Sequence, residues 1–199
     1  WTLNNKLTPG HTFDNQGVAS ATGLHIDFSP SGKVGWIGFA GDLSGTGVFN
    51  PIFYKTVDGG NNWLGPWEVR MDSIPDIVNS LDTAGSPVPT SAFETDFAVD
   101  MNGIPHYCTV IGGGDSYSIQ STLSLNIWDI YYNAEDDKWD AMWLDNVFTF
   151  RANLIGDAAS DNRVQVSKTE DGSVIFFGWC DSDTSVTGGD NSAPNFIVK

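Results

Sequence analysis

The feature that most constrains this chain is a hairpin plan that recurs about every seventy residues. Three segments read as an apolar strand, a short polar turn ending in Gly, and a second apolar strand. They are 24–32 followed by 34–39, 95–103 followed by 104–111, and 164–172 followed by 174–179. The turn glycines Gly32, Gly103 and Gly172 lie 71 and 69 positions apart. Asn-Gly and Asp-Gly between apolar runs mark hairpins, because both turn residues tolerate positive φ. The acidic residues agree, with 21 Asp against 4 Glu beside 22 Gly. Asp and Gly favour tight turns, whereas Glu favours helices. The expectation is an all-β chain.

Each hairpin of the first two units leads to a second one. In the first unit it pairs 52–56 with 63–69, and in the second 126–132 with 139–144. Four antiparallel strands per repeat is the plan of a β-propeller blade. The segments 72–92 and 145–162 are then inter-strand loops. In the third unit, 195–199 matches the start of a third strand, and Trp1 fits the opening of a last strand. The chain therefore divides into 1–20, the end of a preceding blade; 21–90, a complete blade; 91–160, a second; and 161–199, the start of a third. Propellers close with about 4 to 8 blades, so only part of a ring is expected here, as a piece of a longer protein.

Charge excludes some partners. With 25 acidic and 9 basic side chains the net charge is −16, which opposes nucleic acid and anionic lipid. No apolar run approaches the roughly 20 residues that span a bilayer. No n-region and h-region of a signal peptide open these residues. Cys108 and Cys180 sit in apolar strand patterns and read as two buried free thiols.

One motif is sharp. Thr56-Val-Asp58-Gly-Gly60-Asn-Asn-Trp63 fits Ser/Thr-x-Asp-x-Gly-x-x-Trp, on the turn between third and fourth strands. Asp58 can accept backbone N–H bonds across the turn, Gly60 supplies positive φ, and Trp63 folds back as an apolar plug. The second unit's turn, 133–139, keeps Trp139 and loses the Asp and Gly. On these residues the chain resembles the Asp-box (BNR) repeat β-propellers of the sialidase-like superfamily. The stretch 163–183 is similar to blades of large surface proteins that Bacteroidota export by type IX secretion. The resemblance implies that the Asp-box is structural and lies away from any active site.

Sialidases of that superfamily hold the substrate carboxylate with three arginines and use a Tyr activated by Glu, with an Asp acid/base. Arg70, Arg151 and Arg163 do not occupy corresponding strand positions, and no Arg-Ile-Pro segment is present. Glu68, Glu94, Glu135 and Glu170 supply carboxylates, three of them near turns or strand ends. His11, His25 and His106 lack metal-ligand spacing. Asp181, Asp183 and Asp190 with nearby glycine carbonyls could hold Ca²⁺, which takes 6 to 8 oxygens, but the EF-hand spacing is missing and an acidic surface loop is the preferred reading; no cofactor is expected, calcium being the one considered. Asp136 and Asp137 read as a solvated turn, and 112–114 leads into no helix and is no phosphate loop.

Trp36, Trp128, Trp143, Trp179 and Tyr131 fall in strand patterns and are expected to pack between blades. Trp67, beside Pro66, is the candidate ligand-facing aromatic. The expectation is a non-enzymatic module, secreted or on the outer-membrane surface, for recognition, adhesion or assembly. Its partners would be a protein or glycan at the cell surface, or a secretion or surface complex. The alternative is an exo-acting glycoside hydrolase of sialidase type with catalytic residues partly outside these residues.

Overall fold

The computed structural model describes residues 21–81, 88–115, 117–119, 125–148, 162–182 and 194–199. The expectations for Trp1, His11, Arg151, Asp183 and Asp190 lie outside these residues.

Three antiparallel sheets follow one another along the chain. The first takes β1 (Ala21–Phe28), β2 (Gly35–Gly41), β3 (Asn50–Thr56) and β4 (Leu64–Glu68), paired in sequence order. The second takes β5 (Val88–Val99), β6 (Pro105–Asp115), β8 (Asn126–Asn133) and β9 (Lys138–Asn146), with the two-residue β7 (Ser118–Ile119) pairing β6. The third takes β10 (Gln165–Lys168), β11 (Ile175–Asp181) and β12 (Asn195–Val198). The chain is all-β in the main, as the hairpin plan implies.

Sequence and sheet part company at 72–92. This stretch holds a 3₁₀ turn (Met71–Ser73), the short helix α1 (Pro75–Ser80) and the start of β5. Pro75 pre-sets φ at the first helical position, Asp76 favours the first turn, and Ile77 is fully buried. A loop was expected because one turn and a half of helix is too short for a periodic apolar pattern.

The hairpin turns also differ by one residue. Ser29 N–H donates to Val34 O and Thr169 N–H to Val174 O, but Asp100 N–H donates to Ile104 O. Alignment on the turn glycines sets Trp36 against Tyr107. Counting two residues from the closing pairs instead sets Trp36 against His106, so Trp36 and Tyr107 point to opposite sheet faces.

Side chains alternate accordingly. One core, with Trp36, Phe53, Tyr107, Ile111, Trp128 and Ile130, joins the first two sheets; Met71, Ile74 and Ile77 pack into it. A second core, with Cys108, Val110, Ile127, Leu144, Phe177 and Trp179, joins the second and third. β6 is buried on both faces, which is why it reads as a nearly continuous apolar run. Trp143 departs from expectation: it is 48% exposed, held by a bond from Nε1 to Asn126 Oδ1. Cys108 is buried, and burial pushes its thiol well up; neither it nor Cys180 forms a disulfide among the described residues, and Cys180 is only half-buried, because its face of β11 is uncovered.

The first strands of the sheets are tied to one another. Asp27 of β1 accepts from Val99 N of β5, and Asp96 of β5 accepts from Val166 N of β10, at 2.7 and 2.8 Å. His25 Nε2 lies 3.0 Å from Thr95 Oγ1.

Candidate functional site

The Asp-box residues form one local network on the β3–β4 turn. Thr56 Oγ1 donates to Asp58 Oδ1 at 2.8 Å and accepts from Gly60 N at 2.9 Å. Asp58 Oδ1 accepts from Asn62 N, and Oδ2 from Asn62 Nδ2. These bonds, the Asn62 N–H foremost, hold the Asp58 carboxyl below the ordinary Asp value. Gly60 takes φ +89°, and Trp63 meets Phe28 edge-on at 6.1 Å. Asp58 is exposed and its hydrogen bonds, to Thr56, Asn61 and Asn62, stay within the turn, so it serves the turn's own geometry.

The chemistry gathers elsewhere, at the seam between the first and second sheets. On β3, Phe53 and Lys55 share a face; their cross-strand partners are Trp67 and Trp36. On the facing side, Tyr132 of β8 is paired across to Trp139 of β9. Trp139 stands where Trp63 stands in the first sheet, since Leu64 pairs Lys55 and Asp140 pairs Tyr131. It stacks on Phe53 with centroids 4.5 Å apart and planes 12° apart. Trp36 meets Trp139 edge-on at 5.9 Å and donates from Nε1 to Gly103 O at 2.9 Å, which anchors its ring.

Together Trp36, Lys55, Trp67, Tyr132, Asp137 and Trp139 line a pocket of about 330 Å³. That lies at the lower end of the roughly 300–1,000 Å³ of small-molecule sites, with the usual apolar walls and few polar groups. Lys55 Nζ sits 4.9 Å from the Trp36 ring centre and 5.8 Å from that of Tyr132. No carboxylate within 4 Å pairs with it among the described residues. Asp137, at φ +53°, is turned to the pocket by the hairpin in which Asn133 Oδ1 accepts from the N–H groups of Glu135 and Asp136. Its carboxylate accepts from the Tyr132 hydroxyl, and that bond raises the phenol above its ordinary value.

Trp67, singled out from the sequence, is 41% exposed and lines this pocket. Trp36 was expected only to pack between blades and Trp139 only to close its turn, and Lys55 and Tyr132 were not singled out. Strand alternation gives each pair within a sheet, but not the meeting of two sheets. Asp137, taken as a solvated turn residue, belongs to the pocket; Asp136 is solvated beside Lys138, at 3.4 Å.

The other candidates are dispersed. Asp181, the described member of the calcium set, is 3% exposed and accepts from the backbone of Phe148 and Ser182. Among the described residues no group of three His, Cys, Asp or Glu side chains could hold a metal ion. Arg70 pairs with the exposed Asp72 beyond β4, while Arg163 precedes β10 and its N–H donates to Glu94 Oε2. Glu68 accepts from Leu43 N and Asn50 Nδ2; Glu135 and Glu170 are exposed. His106 Nδ1 lies 2.7 Å from Asp129 Oδ2 at the second seam, with no Ser, Thr or Cys nucleophile bonded to the pair among the described residues.

No protein-family model matches the chain, and no curated protein matches it.

Proposed function

We propose that this chain is a non-enzymatic recognition module whose ligand docks at the seam between its first two sheets. The observation that carries the reading is the pocket built from Trp36, Trp67, Tyr132 and Trp139 with one ammonium and one carboxylate at its rim. Such a site has what binding needs: aromatic area, shape, and a few oriented polar groups. Tyr132 bonds Asp137 there, but the lining holds no arginine to grip a sugar carboxylate and no second carboxylate to complete the pair of glycoside hydrolysis.

On this reading the three sheets are blades of a β-propeller. Sequential four-stranded meanders joined through their first strands support it. So does the apolar face of the third sheet, where Phe176, Phe196 and Val198 are 43%, 62% and 55% exposed, as a further sheet would require. The setting we propose is a secreted or cell-surface protein of the type IX-exported kind, working in adhesion or assembly.

The test is to screen the purified chain on glycan and protein arrays while assaying fluorogenic glycosides, an α-sialoside among them. The expected result is saturable array binding with no turnover. Hydrolysis that follows the chain through purification would replace this reading with the sialidase-type one. Silence on both arrays would end the recognition reading.

A further inference from the structure

We propose that the pocket at this seam takes a neutral pyranose ring, stacked on Trp67. The proposal rests on the recognition reading and names the ligand class for it. Each of the other three rings already has a partner over one face. Trp139 lies flat on Phe53, and the Lys55 ammonium covers Trp36 and Tyr132. Trp67 makes one tilted contact among the described residues, with Trp36 at 6.4 Å and 56°, and keeps 41% of its surface open.

The apolar C–H face of a pyranose matches an open indole, and its hydroxyls match the rim. Lys55 can only donate and an ionised Asp137 can only accept, whereas a hydroxyl does both. One sugar ring can therefore satisfy both groups at once. An external ammonium fits worse, because Lys55 already holds the two ring faces a cation would seek and repels a second positive charge. A sugar carboxylate would suit Lys55 but must approach Asp137 on a chain of net charge −16. At about 330 Å³ the pocket suits one ring, with the rest of a glycan left in solvent.

The experiment is a titration with the methyl glycosides of glucose, galactose, mannose, fucose and N-acetylglucosamine, read by tryptophan fluorescence and by indole N–H NMR signals. Tetramethylammonium chloride and methyl glucuronide are titrated in parallel. At least one neutral glycoside is expected to saturate. Trp67→Ala should weaken it by about tenfold or more, and Lys55→Met and Asp137→Asn by severalfold each. Trp143→Ala, also an exposed indole but four residues beyond Trp139 on β9 and outside the pocket lining, should bind as the parent does.

Near-UV circular dichroism reports the fold of each variant. Should Trp67→Ala lose its fold, Lys55→Met carries the test, since it removes no aromatic ring. The proposal is overturned if no neutral glycoside saturates, if tetramethylammonium or the glucuronide binds more tightly, or if the folded pocket variants bind like the parent. Array binding that survives in those variants would move the ligand to another surface and leave the recognition reading standing. Absence of all array binding would remove that reading itself.

Discussion

The ammonium of Lys168, on β10, bonds the carboxylate of Asp27, 141 positions earlier on β1. The same Nζ donates to Phe28 O at 2.6 Å and to Val99 O at 2.9 Å, so one side chain of the third sheet holds both other sheets. Lys168 is 20% and Asp27 31% exposed, so the ion pair alone is screened and contributes little. The two carbonyls decide the matter. Lys168→Met leaves both without their donor, and unmade bonds of partly buried groups cost more than the net worth of a made one. The expected loss is about 2 kcal/mol in urea unfolding. A Lys168→Met protein as stable as the parent would show that the first strands are held together by other contacts.

Gly172 closes the third hairpin turn against the first and second. Its φ is +69°, and a Cβ there would lie 2.8 Å from Met101 N and 2.9 Å from Pro30 Cγ. Met101 N also donates to Gly172 O, so the backbones cannot simply part. Gly172→Ala is expected to destabilise by about 1–3 kcal/mol through strain and overpacking. Gly32 is the control: its φ is +67°, but nothing lies within 4 Å of its added Cβ. Gly32→Ala should show only the cost of the left-handed backbone, about 1 kcal/mol. Equal losses at both positions in thermal melts would mean that the turns do not touch in solution.

Much of the sheet plan is legible in the residues, because hairpins are local. The Asp- and Gly-rich turns and the period-2 runs name nearly every strand, and the Asp-box fixes its own turn through bonds that reach no farther than Thr56 to Asn62. What escapes is anything set between sheets. Trp36 and Trp143 both read as packed strand residues, yet one is 3% and the other 48% exposed: Trp143 shares its face of β9 with Trp139 and Ala141, which pack into the core between the sheets, but itself stays outside that core. Lys55 carries no sequence signal at all: its role follows from Tyr132, 77 positions away, arriving over it. The one-residue difference between the turns at Gly32 and Gly103 had the same effect, since a shift of one exchanges the two faces of a strand.

Acid should weaken the turns first. Thr169 Oγ1 and the Ser173 N–H and hydroxyl bond Asp171 and hold its carboxyl down at about 2; Asn62 and Thr56 lower Asp58. A folded value below the unfolded one means stability that is present above about pH 4 and is lost as pH falls through the folded value. Asp58→Asn and Asp171→Asn should each flatten the fall in melting temperature between about pH 4 and pH 2. Thr56→Val tests the same turn without charge. It strips the hydroxyl from both Gly60 N and Asp58, and should cost about 1–2 kcal/mol near neutral pH and less below about pH 4, where Asp58 no longer gains from the bond. A loss of equal size at every pH would mean that the hydroxyl acts through Gly60 N alone.

His106 and Asp129 make the opposite prediction. Asp129 is fully buried, one oxygen faces His106, and the other has no hydrogen-bond partner among the described residues. Burial opposes charge on His106, but the Asp129 bond and charge, with Asp100 adding, outweigh it and raise the imidazole above its ordinary value. Burial likewise pushes Asp129 up, against the pull of His106. For a His raised on folding, the stabilisation is fully present below about pH 6.5 and is lost as pH rises through the folded value. The raised Asp129 acts in the same direction, losing stability as pH rises from about 3.8 through its folded value. His25 runs the other way, since burial lowers it despite Asp96, and so the parent's own profile is a sum of opposed parts. The difference between parent and His106→Leu isolates the pair. It should be on the order of 3 kcal/mol near pH 6, since the variant strands a buried carboxyl. Asp129→Asn in the His106→Leu background should recover part of the loss by removing that charge. A His106→Leu protein as stable as the parent near pH 6 would show that Asp129 is held without the imidazole.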